Sequence, residues 1–240
     1  GKEWLDTFVV AISVAMAFRA YFYEPFNIPT GSMQETLWGH HTQAGAEKGA
    51  WDMFPLSVLK WAVTGERVVD WKSPATGTVR CQPRGDGFAT VKVGTCDQSW
   101  SLPTDACRVL KGECVTREET RWGGSITTGE FIFVNRWKGN FVQPYVGDVM
   151  IFSTTGIKQL PQGTHYIKRM KARPGETYVL EHPVEGRPDA VTMGPDEYFA
   201  CGDNFNNSFD SRYWGTVPRA NLRGEGAFVF WPLTGWRIIR

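Results

Sequence analysis

A chain of 240 residues allows one large domain or two small ones, and size alone does not choose between them. With 26 Lys plus Arg against 25 acidic residues, no excess of positive charge marks a nucleic-acid partner. Eleven Trp, 15 Phe, 26 Gly and 14 Pro suit many short strands joined by turns, or an aromatic-rich surface at a membrane interface.

Trp4 to Tyr23 is an apolar run interrupted mainly by Asp6 and Arg19 near its ends. As a helix it would be about 30 Å long, the hydrocarbon thickness of a bilayer. Tyr21, Phe22 and Tyr23 would sit at the interface, and Arg19 would snorkel towards the headgroups. A cleavable signal peptide normally has a basic start, and here Lys2 is the only early positive charge, so a transmembrane helix is the expectation over a signal peptide or a buried helix. Gly1 is not an initiating Met, which leaves room for residues upstream, including another span. Pro25 and Pro29 end the helix and force extended backbone, so Ser32, nine residues past Tyr23, would work close to the membrane surface.

A short helix is expected over Trp51–Val63, with Phe54, Val58, Leu59 and Ala62 at helical spacing. Ser57-Val58-Leu59-Lys60 fits a Ser-x-x-Lys pattern but lacks the companion Ser-Asp-Asn and Lys-Thr-Gly, so it carries no catalytic expectation. From Ser73, Pro74–Arg80 and Gly87–Gly94 alternate apolar and polar residues between Gly turns, as small β-strands do. This region holds Cys81, Cys96, Cys107 and Cys114 without a Cys-x-x-Cys pair, which argues against zinc. Outside the cytoplasm one or two disulfides are expected among them, with reduced core cysteines as the other reading; Cys201, at a strand end, reads as a buried small hydrophobe.

From Gly129 onward, Phe131–Val134, Val149–Phe152, His165–Ile167, Thr177–Leu180 and Phe228–Phe230 are short β-branched or aromatic runs bounded by turn residues. They predict antiparallel strands closing into a barrel or sandwich. Asp148, after Gly147, reads as a turn residue. After the strand-like Tyr198–Cys201 comes Gly202-Asp203-Asn204-Phe205-Asn206-Asn207-Ser208-Phe209-Asp210-Ser211-Arg212-Tyr213-Trp214-Gly215, a turn-forming stretch ending in an ion pair and two aromatics. By composition it is a surface loop; set on a rigid scaffold, such loops are also where catalysis sits. The four His, at 40, 41, 165 and 182, come with no Gly-x-Ser-x-Gly elbow or His-Glu-x-x-His helix, so a serine nucleophile here would need another base. Strand alternation puts Tyr166, Lys168 and Met170 on one face, where apolar neighbours would lower a lysine pKa. A solvated lysine on an exposed strand is the common alternative.

Four separated motifs occur in one order: Ile28–Leu37, Gly147–Phe152, Tyr166–Glu176 and the loop from Gly202. Together they resemble type I signal peptidases, membrane-bound Ser-Lys proteases of family S26, over residues 4–37 and about 127–240. One departure is Glu35, where the family usually has Pro. The resemblance implies a mainly β fold, antiparallel sheets of a peptidase core with an N-terminal transmembrane helix and an inserted small β-rich subdomain. Residues 1–24 would be the anchor, 25–37 with 127–240 the catalytic domain, and 38–126 an insertion of open role. Lys168 lies 136 positions after Ser32, long for the family because of that insertion, whereas Gly202 follows Lys168 after 34, leaving room for only a small subdomain there.

The resemblance also implies roles. Ser32 would be the acylating nucleophile and Lys168 the general base, with Ser208 orienting the lysine amine. The Ser32 N–H and the Thr30 hydroxyl would be oxyanion donors. Asp210 and Arg212 would hold the Ser208 loop. Ile28, Met33, Leu37 and Ile167 flank these residues as pocket walls for an extended substrate with small residues in an Ala-x-Ala pattern before the cut. The expected protein removes N-terminal signal peptides from exported pre-proteins, needs no cofactor or metal, touches membrane lipid and no nucleic acid, and acts as a monomer. It would sit in a bacterial cytoplasmic membrane with the catalytic domain outside. A self-cleaving repressor-type peptidase shares the dyad but not the membrane helix, and a silent anchored β-module that binds exported proteins would have no need of an intact Ser32, Lys168 and Ser208.

Overall fold

The computed structural model describes residues 2–84 and 88–240. Helix α1, Lys2–Tyr21, leads into strand β1, Tyr23–Asn27, and a 3-10 turn over Gly31–Met33 carries Ser32. The segment that follows contains β2 (His41–Ala44), helix α2 (Leu56–Thr64), β3 (Glu66–Lys72), β4 (Gly77–Pro83), β5 (Phe88–Val93), β6 (Trp100–Pro103), helix α3 (Thr104–Leu110), β7 (Cys114–Val115) and β8 (Thr120–Thr127). The rest comprises β9 (Phe131–Asn135), helix α4 (Arg136–Phe141), β10 (Val149–Ser153), β11 (His165–Ala172), β12 (Thr177–Val179), β13 (Ala190–Thr192), β14 (Glu197–Cys201), helix α5 (Ser211–Trp214), β15 (Val217–Pro218), β16 (Leu222–Trp231) and β17 (Arg237–Ile238). Every strand pairing is antiparallel.

The main sheet runs β1-β9-β16-β10-β11-β14-β15, with β17 beside β16. It is an open path, not the closed barrel that one reading of the strand pattern allowed. Strand β10 lies between β16 and β11 and is buried along its whole length, which is why Val149-Met150-Ile151-Phe152 has no polar alternation. Strand β11 alternates: Lys168, Met170 and Ala172 are buried while Ile167, Arg169 and Lys171 are partly exposed. One core cluster, including Met150, Phe152, Met170, Tyr198 and Trp214, covers one face. Another, with Ile28, Met33, Leu37, Ile132, Val134 and Ile151, lies under the Ser32 turn.

Residues 69–126 supply a separate core, built on Trp71, Val79, Val91, Leu110 and Trp122 between the sheets β2-β8-β3 and β6-β5-β4-β7. The strands expected from Pro74–Arg80 and Gly87–Gly94 are β4 and β5; Gly87 itself lies outside the described residues. Between β11 and β14 there is only the β12–β13 hairpin, as the short spacing required. Helix α2 starts five residues later than expected and buries none of its residues within the chain.

One expectation is corrected and a second is not confirmed. None of the five cysteines is in a disulfide. Cys81 and Cys107 are neighbours, with the Cys81 Sγ 3.6 Å from the Cys107 carbonyl oxygen, but burial pushes the Cys107 thiol up to about 12, which keeps it protonated and unreactive. Cys114 lies against Thr78 instead. Secondly, α1 forms as a helix of 20 residues, but among the described residues no helix is long and apolar enough to cross a membrane. Lys2, Glu3, Asp6 and Arg19 confine the uncharged stretch to residues 7–18, about 18 Å of helix at 1.5 Å per residue.

Candidate active site

Four elements bring the site together. Pro25 and Pro29 keep the chain extended out of β1, and the Ile28 N–H donates to the Glu130 carbonyl at 2.8 Å. The chain then tightens into the 3-10 turn, whose closing bond is Gln34 N–H to the Gly31 carbonyl at 3.2 Å. This places Ser32 over β11. The Lys168 Nζ donates to Ser32 Oγ at 2.6 Å, and the lysine is only 3% exposed. Burial among apolar neighbours brings Lys168 down to about 8, although Asp210 pulls the other way. A neutral amine bonded to a serine hydroxyl is the arrangement in which a lysine can take the hydroxyl proton.

The loop after β14 backs this pair. Asp210 and Arg212 form a buried bidentate ion pair, with Nε to Oδ1 at 2.8 Å and Nη2 to Oδ2 at 2.9 Å. Asp210 also accepts the Gly202 N–H at 3.0 Å and Arg212 donates to the Phe205 carbonyl at 3.0 Å, so the pair cross-ties both ends of the loop. The carboxylate beside it holds the Arg212 guanidinium above its already high range. Asn204 reaches the Ser32 turn, its backbone N–H donating to the Ser32 carbonyl at 3.1 Å and its side-chain amide to the Gly31 carbonyl at 3.0 Å. Gly202 is required by close approach: a Cβ there would lie 2.2 Å from Ser208 Oγ and 2.4 Å from the Ser32 carbonyl oxygen.

The other expected residues fall out as follows. The Thr30 hydroxyl is 3.5 Å from Ser32 Oγ, nearby but too long for a strong bond. Ser208 is buried beside Gly202, yet its Oγ makes no hydrogen bond among the described residues, so the bond expected from it to the lysine amine is not formed. Ile28, Met33 and Leu37 are buried in the core beneath the turn, and of the four expected wall residues only Ile167 keeps appreciable exposed surface. Asp148 is a turn residue, accepting the Tyr145 N–H at 2.9 Å next to Gly147, whose φ of +101° needs glycine. His165 lies on β11 and His40 accepts from the Gly129 N–H, both as loop or strand residues.

Sequence reasoning assigned no role to Thr36, Arg169 or Asp203. Arg169, next to the lysine on the opposite face of β11, is bidentate to Asp203 at 2.7 Å through both Nε and Nη2. It also donates to the Gly147 carbonyl at 2.6 Å. The Thr36 hydroxyl joins the pair, donating to Asp203 at 2.6 Å and accepting from Arg169 at 3.0 Å. Hydrogen bonds from Arg169 and Thr36 keep the half-buried Asp203 below the usual carboxylate range despite the opposing cost of burial. The available signal was position alone: Arg169 directly follows the lysine and Asp203 directly follows the glycine.

Comparison with known proteins supports the same grouping. The family model for signal peptidase, peptidase S26, matches residues 181–231. A probable signal peptidase I-1 of Synechocystis sp. is 32% identical over 133 residues, which cover 47% of this chain and 67% of that protein. A signal peptidase I of Leptolyngbya laminosa is 31% identical over 130 residues, 45% of this chain and 64% of the relative. The signal peptidase I of Buchnera aphidicola subsp. Schizaphis graminum is 23% identical over 257 aligned positions, covering 95% of this chain and 76% of the relative. The chain thus spans about two thirds of the length of the first two relatives. On this similarity and the order of its motifs, the chain belongs to the type I signal peptidases, the serine peptidases of family S26.

Proposed function

We propose that this protein removes signal peptides from exported pre-proteins through an acyl-enzyme on Ser32, with Lys168 as the base. The observation that carries the reading is the 2.6 Å bond between a buried lysine amine and the serine hydroxyl. Ser32 Oγ attacks the scissile carbonyl as Lys168 accepts its proton, and the Ser32 N–H with the Thr30 hydroxyl faces the developing oxyanion. The lysine then returns the proton to the leaving amine. Water, deprotonated by the same amine, releases the signal peptide from Ser32. Asp210 and Arg212 hold the Ser208 loop against this dyad, and a rotation of the unpartnered Ser208 hydroxyl would supply the orienting bond to the amine.

An Ala-x-Ala site before the cut fits a crowded centre, since the chain around Ser32 leaves Ile167 as the accessible apolar wall. Ile28, Met33 and Leu37 act by supporting that wall from below. The 25–37 and 127–240 segments form the catalytic unit, and 38–126 an insertion with its own core.

The same reading puts the protein at a bacterial cytoplasmic membrane with the catalytic unit outside. Its support is apolar surface. Trp4, Leu5, Phe8, Val9, Val10, Val14 and Met16 of α1 are all exposed, and exposed apolar side chains along a helix suit contact with lipid. From its end an aromatic ladder crosses the outer sheet face, Tyr23 to Phe133 to Phe230, then Phe131 to Trp231 and on to Trp61 of α2. Beyond it Phe54, Trp236 and Ile238 are 85%, 67% and 69% exposed. Aromatic side chains of this kind favour the headgroup boundary. The test is cleavage of a pre-protein carrying an Ala-x-Ala signal in detergent, with the new N-terminus sequenced. Cleavage elsewhere than after the second Ala would sink the specificity claim.

A further inference from the structure

The segment that carries Ser32 is gripped from two sides, and only one of them belongs to the lysine strand. On the β11 side, the Thr36 hydroxyl is locked into the Arg169–Asp203 pair. On the far side stands a second ion pair, Glu130 just before β9 and Arg237 at the start of β17. The Arg237 guanidinium is bidentate, with Nη1 to Oε1 at 2.6 Å and Nη2 to Oε2 at 2.7 Å. Nη2 also donates to the Thr36 carbonyl at 2.6 Å, and Nη1 to the Gly235 carbonyl at 2.9 Å. Glu130 accepts the Trp38 N–H at 3.0 Å on Oε2, and its own N–H donates to the Trp38 carbonyl at 2.9 Å. Thr36 is therefore held by its side chain from β11 and by its carbonyl from β17.

Resting on the Ser-Lys reading above, we propose that Glu130 and Arg237 are positioning residues for the nucleophile. They fix the exit of the Ser32 turn so that Oγ meets the Lys168 amine. Two facts favour this role over simple support of the C-terminal strand. Strand β17 already has its own ladder to β16, Phe228 with Ile238 and Val229 with Arg237, and needs no ion pair to be held. The guanidinium is instead directed at Glu130 and the Thr36 carbonyl, a carboxylate and an oxygen in the nucleophile segment, 201 positions away from the latter. Only a planar fork can meet both carboxylate oxygens and a third acceptor together, so lysine is no substitute. A small displacement of a nucleophile costs rate while leaving substrate contacts in place.

The experiment compares the parent with Arg237→Lys and with the double variant Glu130→Gln/Arg237→Met, which leaves no buried carboxylate unpaired. Each is measured for kcat and KM on a pre-protein, normalised to Ser32 titrated with a serine-acylating probe, with Ser32→Ala as control. The expected result is a fall in kcat of about tenfold or more in both variants with KM within about twofold. The ascending, acid-side limb of the pH–rate profile should stay near 8, because the lysine surroundings are untouched. Parental kcat per titrated site in Arg237→Lys, or a loss confined to KM, would overturn the positioning role. If Ser32→Ala cleaves as well as the parent, the Ser-Lys reading itself has failed, a different result from an inactive control with unaffected variants.

Discussion

A serine hydroxyl and a lysine amine 2.6 Å apart make a catalytic pair only if the amine gives up its charge near neutral pH. Burial brings Lys168 down to about 8. Cleavage should therefore be slow below pH 7, rise through pH 8 and level off above pH 9, and a pH–rate profile that peaked in acid would contradict a lysine base. The same depression has a stability consequence of definite sign. The folded lysine loses its proton near 8 and the unfolded one near 10.5, so between these values the unfolded state binds more protons. Stability contributed by this group is lowest below pH 8 and recovers as pH rises towards 10.5. Lys168→Met should raise the melting temperature at pH 7 by an amount corresponding to at most about 3 kcal/mol, and the gain should vanish near pH 10.5. Melting curves at both pH values decide it; an unchanged or lower value at pH 7 would mean that the lysine is solvated. Asp210→Ala acts in the other direction. It strands the buried Arg212 charge and should cost about 3–5 kcal/mol in denaturant unfolding.

The elements that were legible from sequence were those whose burial is written in local pattern. Strands β9, β10 and β14 read as short apolar runs between turn residues, and the alternation around Lys168 gave the buried face of β11 correctly. What joins them was not legible. Whether Arg169 meets Asp203 depends on the register of β11 against β14, where Arg169 faces Cys201, and on the loop that follows. Glu130 and Arg237 meet only because β9 and β17 both flank β16. The disulfide expectation failed for a related reason: cysteine count says nothing about which side chains a β-subdomain turns towards one another. Ser208 shows the limit within a motif, since the sequence places it in the loop but not its rotamer. The element most sensitive to a single atom is the turn at Gly202. Gly202→Ala would drive a methyl group into Ser208 and the Ser32 carbonyl, and should lower kcat by at least about tenfold. Full activity in that variant would show that the loop and the nucleophile turn are not packed as described.

At the scale of the whole molecule, the Ser32 turn, α1 and the aromatic ladder are joined by one continuous sheet, β1-β9-β16, with α2 of the 38–126 segment docked at its far end through the Trp231 indole N–H to the Ala62 carbonyl at 2.9 Å. That continuity would link the proposed membrane contact to the site. Phe54→Ser with Trp236→Ser should weaken binding of the protein to phospholipid vesicles severalfold in a flotation assay while leaving cleavage in detergent unchanged, because neither side chain packs in the core. Equal vesicle binding would remove the ladder from the membrane account. The central claim remains the dyad. Its most direct test is processing of an Ala-x-Ala pre-protein by the parent, Ser32→Ala and Lys168→Ala, with circular dichroism on each. Cleavage by the parent alone, with all three folded, is the predicted result; cleavage by either variant at the parental rate would contradict it.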